Sequence, residues 1–132
     1  MTQKTIWVID DDPIYQIIIN KIIKKNNYFS TICTYNNGKE ALDSIQNSIE
    51  NQTTSSPDII LLDINMPIMD GWEFLEALEP IKPKLGQKIM IYIVSSSIAL
   101  EDKNKSNIYP DVLGYLSKPI TVDDLIKIAA TH

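Results

Sequence analysis

Three short segments of the chain are apolar almost without interruption: residues 5–9, 59–62 and 89–94. Near-continuous rather than alternating apolar character suits strands covered on both faces. Between them, apolar residues recur at helical spacing. Residues 38–50 place Ala41, Leu42, Ile45 and Ile49 on one side, and residues 71–79 do the same with Trp72, Leu75 and Leu78. A helix over 13–25 opens with Asp12 as N-cap and Pro13 at the first helical position, where a missing N–H costs nothing. Thr121 and Asp124 stand at capping-box spacing before a last helix, with Asp in place of the usual Glu. Weaker patterns put a second strand at 31–35, a fifth at 112–116 and a fourth helix at 99–107. Strands alternating with helices predict an α/β fold, a parallel sheet with right-handed crossovers and helices on both faces.

Residues 51–57 read as an exposed loop rather than a linker, and there is no internal repeat, so the 132 residues are expected to form one domain. A hydrophobic fraction of 44% is ample for one core. The net charge of −5 argues against nonspecific nucleic-acid binding, because nothing would offset phosphate repulsion. Lys21, Lys24 and Lys25 read as the solvated end of one helix. Cys33 is the only cysteine, which excludes an internal disulfide and a cysteine metal site and agrees with a reducing compartment. Residues 1–4 lack the character of a signal peptide, and no apolar run approaches the ~20 residues that span a bilayer. A soluble, cytoplasmic protein is expected.

Asp10, Asp11 and Asp12 follow the first strand and Asp63 follows the third. Parallel strands end at one edge, where open α/β sheets bind ligands, so these acids should gather there. Capping accounts for Asp12 but leaves Asp10, Asp11 and Asp63 unexplained. Two carboxylates ~4 Å apart repel by roughly 4 kcal/mol at an effective dielectric near 20. A domain with ~5–15 kcal/mol of net stability needs compensation for three. A hard divalent cation supplies it, and magnesium prefers a few carboxylates, some waters and a phosphate oxygen. Ser95 ends the fourth strand and Lys118 follows the fifth, which places a hydroxyl donor and a compact cation at the same edge.

The segments Ile6-Trp7-Val8-Ile9-Asp10-Asp11-Asp12-Pro13, Leu62-Asp63-Ile64-Asn65-Met66-Pro67-Ile68-Met69-Asp70-Gly71, Ile93-Val94-Ser95-Ser96-Ser97 and Gly114-Tyr115-Leu116-Ser117-Lys118-Pro119 resemble the receiver domain of two-component response regulators. The likeness covers nearly the whole chain in order, and the run from Asp63 to Gly71 is its most specific part. It implies a flavodoxin-like sheet in the order 2-1-3-4-5 with five helices, as in single-domain, chemotaxis-type receivers. It implies that Asp63 accepts a phosphoryl group from a sensor histidine kinase or a histidine phosphotransfer protein. Asp10, Asp11, Asp63 and the backbone carbonyl of Asn65 would hold Mg2+, with Mn2+ as a substitute. Lys118, Ser95 and Ser96 would meet the phosphoryl group, Tyr115 would follow Ser95 inward, and Asn65 and Ser97 would tune hydrolysis. Pro119 would follow a cis peptide bond. Because the last helix closes the chain, no output domain is expected. The phosphorylated form would act by binding a protein target rather than as an enzyme on a separate substrate.

Two other families combine some of these features. Phosphatases of the haloacid dehalogenase type carry an acid two residues after the nucleophile, where this chain has Asn65, which cannot donate a proton in that way. A flavodoxin-type cofactor site would want a Ser/Thr/Gly-rich loop where Asp10, Asp11 and Asp12 stand. A receiver that has lost phosphorylation would lack some of the expected side chains, and all are present.

Overall fold

A computed structural model describes residues 4–52, 56–86, 88–96, 104 and 108–131. Strands β1 (Lys4–Ile9), β2 (Phe29–Tyr35), β3 (Ile59–Asp63), β4 (Met90–Ser95) and β5 (Val112–Ser117) form one sheet in the order β2-β1-β3-β4-β5. Every neighbouring pair is parallel. The helices are α1 (Pro13–Asn26), α2 (Gly38–Glu50), α3 (Gly71–Leu78) and α4 (Val122–Thr131), with a short 3-10 turn at Lys82–Lys84. The helix expected at 99–107 lies outside the described residues except for Asn104, which is helical and exposed. Among the described residues, no helix is long and apolar enough to cross a membrane.

Strand side chains alternate between faces, and both faces are covered, which explains the unbroken apolar runs. Trp7, Ile9, Ile60, Leu62, Ile91 and Ile93 pack with α2 and α3, whereas Ile6, Val8, Ile59 and Leu61 pack with Ile19 and Ile23 of α1 and Leu125 and Ile128 of α4. The element limits move slightly from the sequence pattern, for reasons visible in the ladder. Phe29 pairs with Lys4 and joins β2. Ile89 is buried but precedes β4, whose pairing starts with Met90 opposite Ile59. Asp63 pairs with Val94, so the acid ends β3 instead of following it.

The starts of α1, α3 and α4 each have their own polar device. The Asp12 carboxylate accepts from the N–H groups of Ile14 (2.9 Å) and Tyr15 (3.2 Å), as expected of an N-cap. Thr121 and Asp124 form the expected reciprocal box, at 3.0 and 3.1 Å. Asp70 and Glu73 form a second box at the start of α3, at 2.8 and 3.1 Å, which sequence reading had not singled out.

The loop between β3 and α3 is held by backbone bonds. The N–H of Gly71 donates to Ile64 (2.9 Å), and the carbonyl of Met69 accepts from Gly38 at the head of α2 (3.0 Å). Met69 N–H also donates to the Pro67 carbonyl at 2.7 Å, and the residue between, Ile68, has φ of 69°. This is the positive-φ form of the γ-turn, the rare and strained one. A β-branched residue fits it poorly, and Ile68 recovers little by packing because it is 80% exposed. Ile68→Gly should therefore raise stability by about 1 kcal/mol, the relief of left-handed strain less the added freedom of the unfolded chain. Urea denaturation measures it; an equal loss of stability would mean that the turn is unstrained.

Candidate functional site

The parallel topology delivers the predicted residues to one edge. Asp10 follows β1, Asp63 ends β3, Ser95 ends β4 and Lys118 follows β5. Asp10, Asp11 and Asp63 offer carboxylate oxygens that all lie within 4.8 Å of one another. Asp10 and Asp63 are buried, at 2% and 6% exposure, and Asp11 is open to solvent.

Asp10 is clamped on every side. One carboxylate oxygen accepts from the Asp12 N–H at 2.9 Å, and the other lies 2.5 Å from Lys118 Nζ. Its own N–H donates to the Tyr35 carbonyl at 3.0 Å. The Gln16 side-chain amide donates to the carbonyls of both Asp10 (2.5 Å) and Tyr35 (2.9 Å), stitching α1 to the ends of β1 and β2. Lys118 is similarly placed by both its ends. Its N–H donates to the Ser95 carbonyl at 3.0 Å, while Nζ lies 3.7 Å from Asp63 and 4.5 Å from the centre of the Tyr15 ring.

Behind Asp63 the backbone is tight. A Cβ at Gly71 would come within 2.6 Å of the Asp63 carbonyl oxygen, so only glycine fits there without a shift. Burial raises the Asp63 carboxyl, Asp10 and Asp11 raise it further, and Lys118 opposes them; the net result is a pKa of about 6 instead of 3.8. At neutral pH the group is largely ionised, which leaves it able to act as a nucleophile.

The donor set is all oxygen, with three carboxylates and neither thiol nor imidazole among them. That chemistry fits a hard cation such as Mg2+, which takes one or two carboxylates closely and completes its shell with waters and a phosphate oxygen.

The remaining predicted residues are placed as follows. Ser95 is buried at 1% exposure, whereas Ser96 and Asn65 are exposed. Tyr115 sits opposite Ile93 in the β4–β5 ladder and packs half-buried against the α2–α3 side of the core. The Lys118–Pro119 bond is cis, as the resemblance implied. Ser97 lies outside the described residues. Of their neighbours, Met66 and Met69 pack on the core, and Trp72 stacks on Tyr109 at 6.2 Å. Sequence reading had missed Gln16 and Tyr15. The only signal for them was their position in the first turns of a helix that begins at the acids.

The response regulator receiver domain description matches residues 6–130. A protein-glutamate methylesterase/protein-glutamine glutaminase of Desulfotalea psychrophila is 34% identical over 95 residues, 72% of this chain and 24% of that protein. The nitrate/nitrite response regulator protein NarL of Escherichia coli is 30% identical over 123 residues, 93% of this chain and 51% of that protein. A crystal structure of a two-component response regulator from Cytophaga hutchinsonii matches with a TM-score of 0.85 and 27% identity, covering 99% of this chain and 97% of the other.

The chain belongs to the response regulator receiver domain family. Receiver domains are in general phosphoacceptors of phosphorelay signalling, charged by histidine kinases or phosphotransfer proteins, and they bind Mg2+ through an acidic cluster of the kind seen here. This chain spans only about a quarter to a half of the length of the curated relatives above.

The raised pKa of Asp63 has a consequence for this receiver's stability. The fold tolerates the neutral carboxyl best, so the favourable contribution is complete below pH 3.8 and is lost as pH rises through about 6. Asparagine is neutral throughout. Asp63→Asn should therefore be more stable than wild type by about 2–3 kcal/mol at pH 7.5, with the difference vanishing below pH 4. Denaturation at several pH values without divalent cations tests it, and a pH-independent difference would contradict the assigned cause.

Proposed function

We propose that this receiver accepts a phosphoryl group on Asp63 in a Mg2+-dependent reaction and thereby switches a protein-binding face. The observation that carries the reading is the convergence of a buried, ionisable Asp63 with Asp10, Asp11 and Lys118 at the carboxyl edge of the sheet. An Asp63 oxygen forms the new O–P bond as the bond from phosphorus to the donor's leaving group breaks. With a phosphohistidine donor, the P–N bond electrons leave with the imidazole, which takes up a proton.

Asp10, Asp11, Asp63 and the Asn65 backbone carbonyl would hold the cation, with Mn2+ as a substitute. When bound, the metal supplies positive charge against the phosphoryl oxygens. Lys118 offers the other cation at the site. Its ammonium, shared between Asp10 and Asp63, can shift toward a phosphoryl oxygen without leaving the cluster. Ser95 and Ser96 would donate hydroxyls to the same group, and Asn65 and Ser97 would set its lifetime. Tyr115, half-buried opposite Ile93, would carry the change to the face around β5 and α4.

A protein donor needs somewhere to rest beside Asp63. Helix α1 begins at the acids and turns Ile14, Ile17 and Ile18 outward, at 68%, 58% and 52% exposure. Adjacent apolar side chains in water suit a protein contact.

Two experiments test the reading. With a small phosphodonor and Mg2+, the intact mass of wild type should rise by one phosphoryl group and that of Asp63→Asn should not. Asp11→Ala should lose the magnesium-induced rise in melting temperature, which at tenfold excess over Kd corresponds to roughly 1.4 kcal/mol. Undiminished labelling of Asp63→Asn would move the acceptor elsewhere. Separately, Ile17→Glu with Ile18→Glu should slow transfer from a histidine kinase or phosphotransfer protein at least tenfold while leaving small-donor labelling intact. Equal loss with both donors would place the defect in the site and not in docking.

A further inference from the structure

The ring of Tyr15 meets Lys118 in a way that the assigned chemistry does not require. Lys118 Nζ stands 4.5 Å from the ring centre, and the Lys118 side chain is only 17% exposed. Tyr15 lies in the first turn of α1, half-buried against the cluster that includes Ile120 and Leu125. Its hydroxyl is buried, and burial together with the charge of Asp10 pushes its pKa well above the ordinary range.

The hydroxyl is held by a hydrogen bond at the Ile120 backbone and lies in the field of Asp10, Asp63 and Asp124. Neither contact requires the ring to face Lys118. What an aromatic ring adds is a negative face directed at a cation. The need for such a contact follows from the lysine itself, whose charge sits at the end of a flexible four-carbon stem. Asp10 and Asp63 both attract that charge, and Asp10 has the closer hold, 2.5 Å against 3.7 Å. A further carboxylate under the ammonium would cancel its charge. A ring restrains the ammonium while leaving that charge in place and its N–H donors pointing at oxygens.

From this geometry we infer that Tyr15 is a positioning residue for Lys118: its ring face holds the ammonium over the Asp10–Asp63 pair, so that the cation can pass between Asp10 and a phosphoryl group without swinging out to water. The inference rests on the reading of Asp63 as phosphoacceptor, and it adds a residue of α1 to the machinery of that site.

The test separates ring charge from ring shape. Tyr15 is replaced by phenylalanine, by di- and pentafluorophenylalanine, which drain the ring face in steps at nearly constant size, and by leucine. Two quantities are read: the labelling rate with phosphoramidate and Mg2+, and the 13C relaxation of Lys118 Cε, which reports side-chain mobility without any phosphorylation. Tyr15→Phe should keep the rate within about twofold and keep Cε restrained. The fluorinated series should lose rate progressively, reaching about three- to tenfold with pentafluorophenylalanine or leucine, as Cε becomes mobile. A flat fluorinated series, with Lys118 as rigid as in wild type, overturns the inference even if Tyr15→Leu is poorly folded. Wild-type protein that takes no phosphoryl group would bring down the Asp63 reading, and Cε relaxation would still decide the role of Tyr15.

Discussion

Three carboxylates share a volume a few ångströms across at the end of this sheet, and two of them are shielded from water. At ~4 Å and an effective dielectric near 20, each such pair repels by roughly 4 kcal/mol, an amount comparable to a small domain's entire net stability. Among the described residues, the ammonium of Lys118 stands against this field. The arrangement persists because surrounding contacts hold its parts. Backbone N–H groups and the Gln16 amide fix the end of β1, the lack of a side chain at Gly71 admits the turn behind Asp63, and the Lys118 N–H is tied to the end of β4. The rest of the chain supplies the apolar stability from which this local excess of charge can be sustained.

Topology makes such a concentration of charge easy to assemble. Parallel strands send every carboxyl end to the same side, so acids separated by more than fifty positions, such as Asp10 and Asp63, become neighbours without any special loop. Coverage of both faces by helices excludes water from the strand ends and raises the Asp63 carboxyl, bringing its titration close to neutrality. Burial and repulsion thus act in the same direction on Asp63, and Lys118, helped by a backbone hydrogen bond at Ile64, restrains the shift.

Most of this could be read before the fold was known because it depends on periodicity and order. Apolar runs covered on two sides, a proline after Asp12 and acids at strand ends carry their meaning locally, and alternation of strands with helices fixes where they meet. What could not be read depends on side chains from distant elements meeting at an angle. Tyr15 looks like any amphipathic helix residue until Lys118, about a hundred positions later, is laid across its ring. Gln16 likewise acquires its partners only when β2 ends beside β1. Ile68 gave no signal for a different reason, since nothing in a β-branched side chain announces a positive φ, and the turn was imposed by the bonds around it.

Lys118 joins two regions through a single residue. Its main chain belongs to the junction of β5 with the loop leading to α4 and is bonded to Ser95, while its side-chain charge belongs to the carboxylates at the ends of β1 and β3. A partner that prefers one position of that junction, and through Lys118 one electrostatic state of the acids, is in turn favoured by that state, because such coupling is mutual by thermodynamic necessity. A target that grips the β5–α4 surface more tightly when the phosphoryl group is present will, by the same free energy, favour retention of that group. Such a target would act as an effector of the receiver's charge state as well as a reader of it.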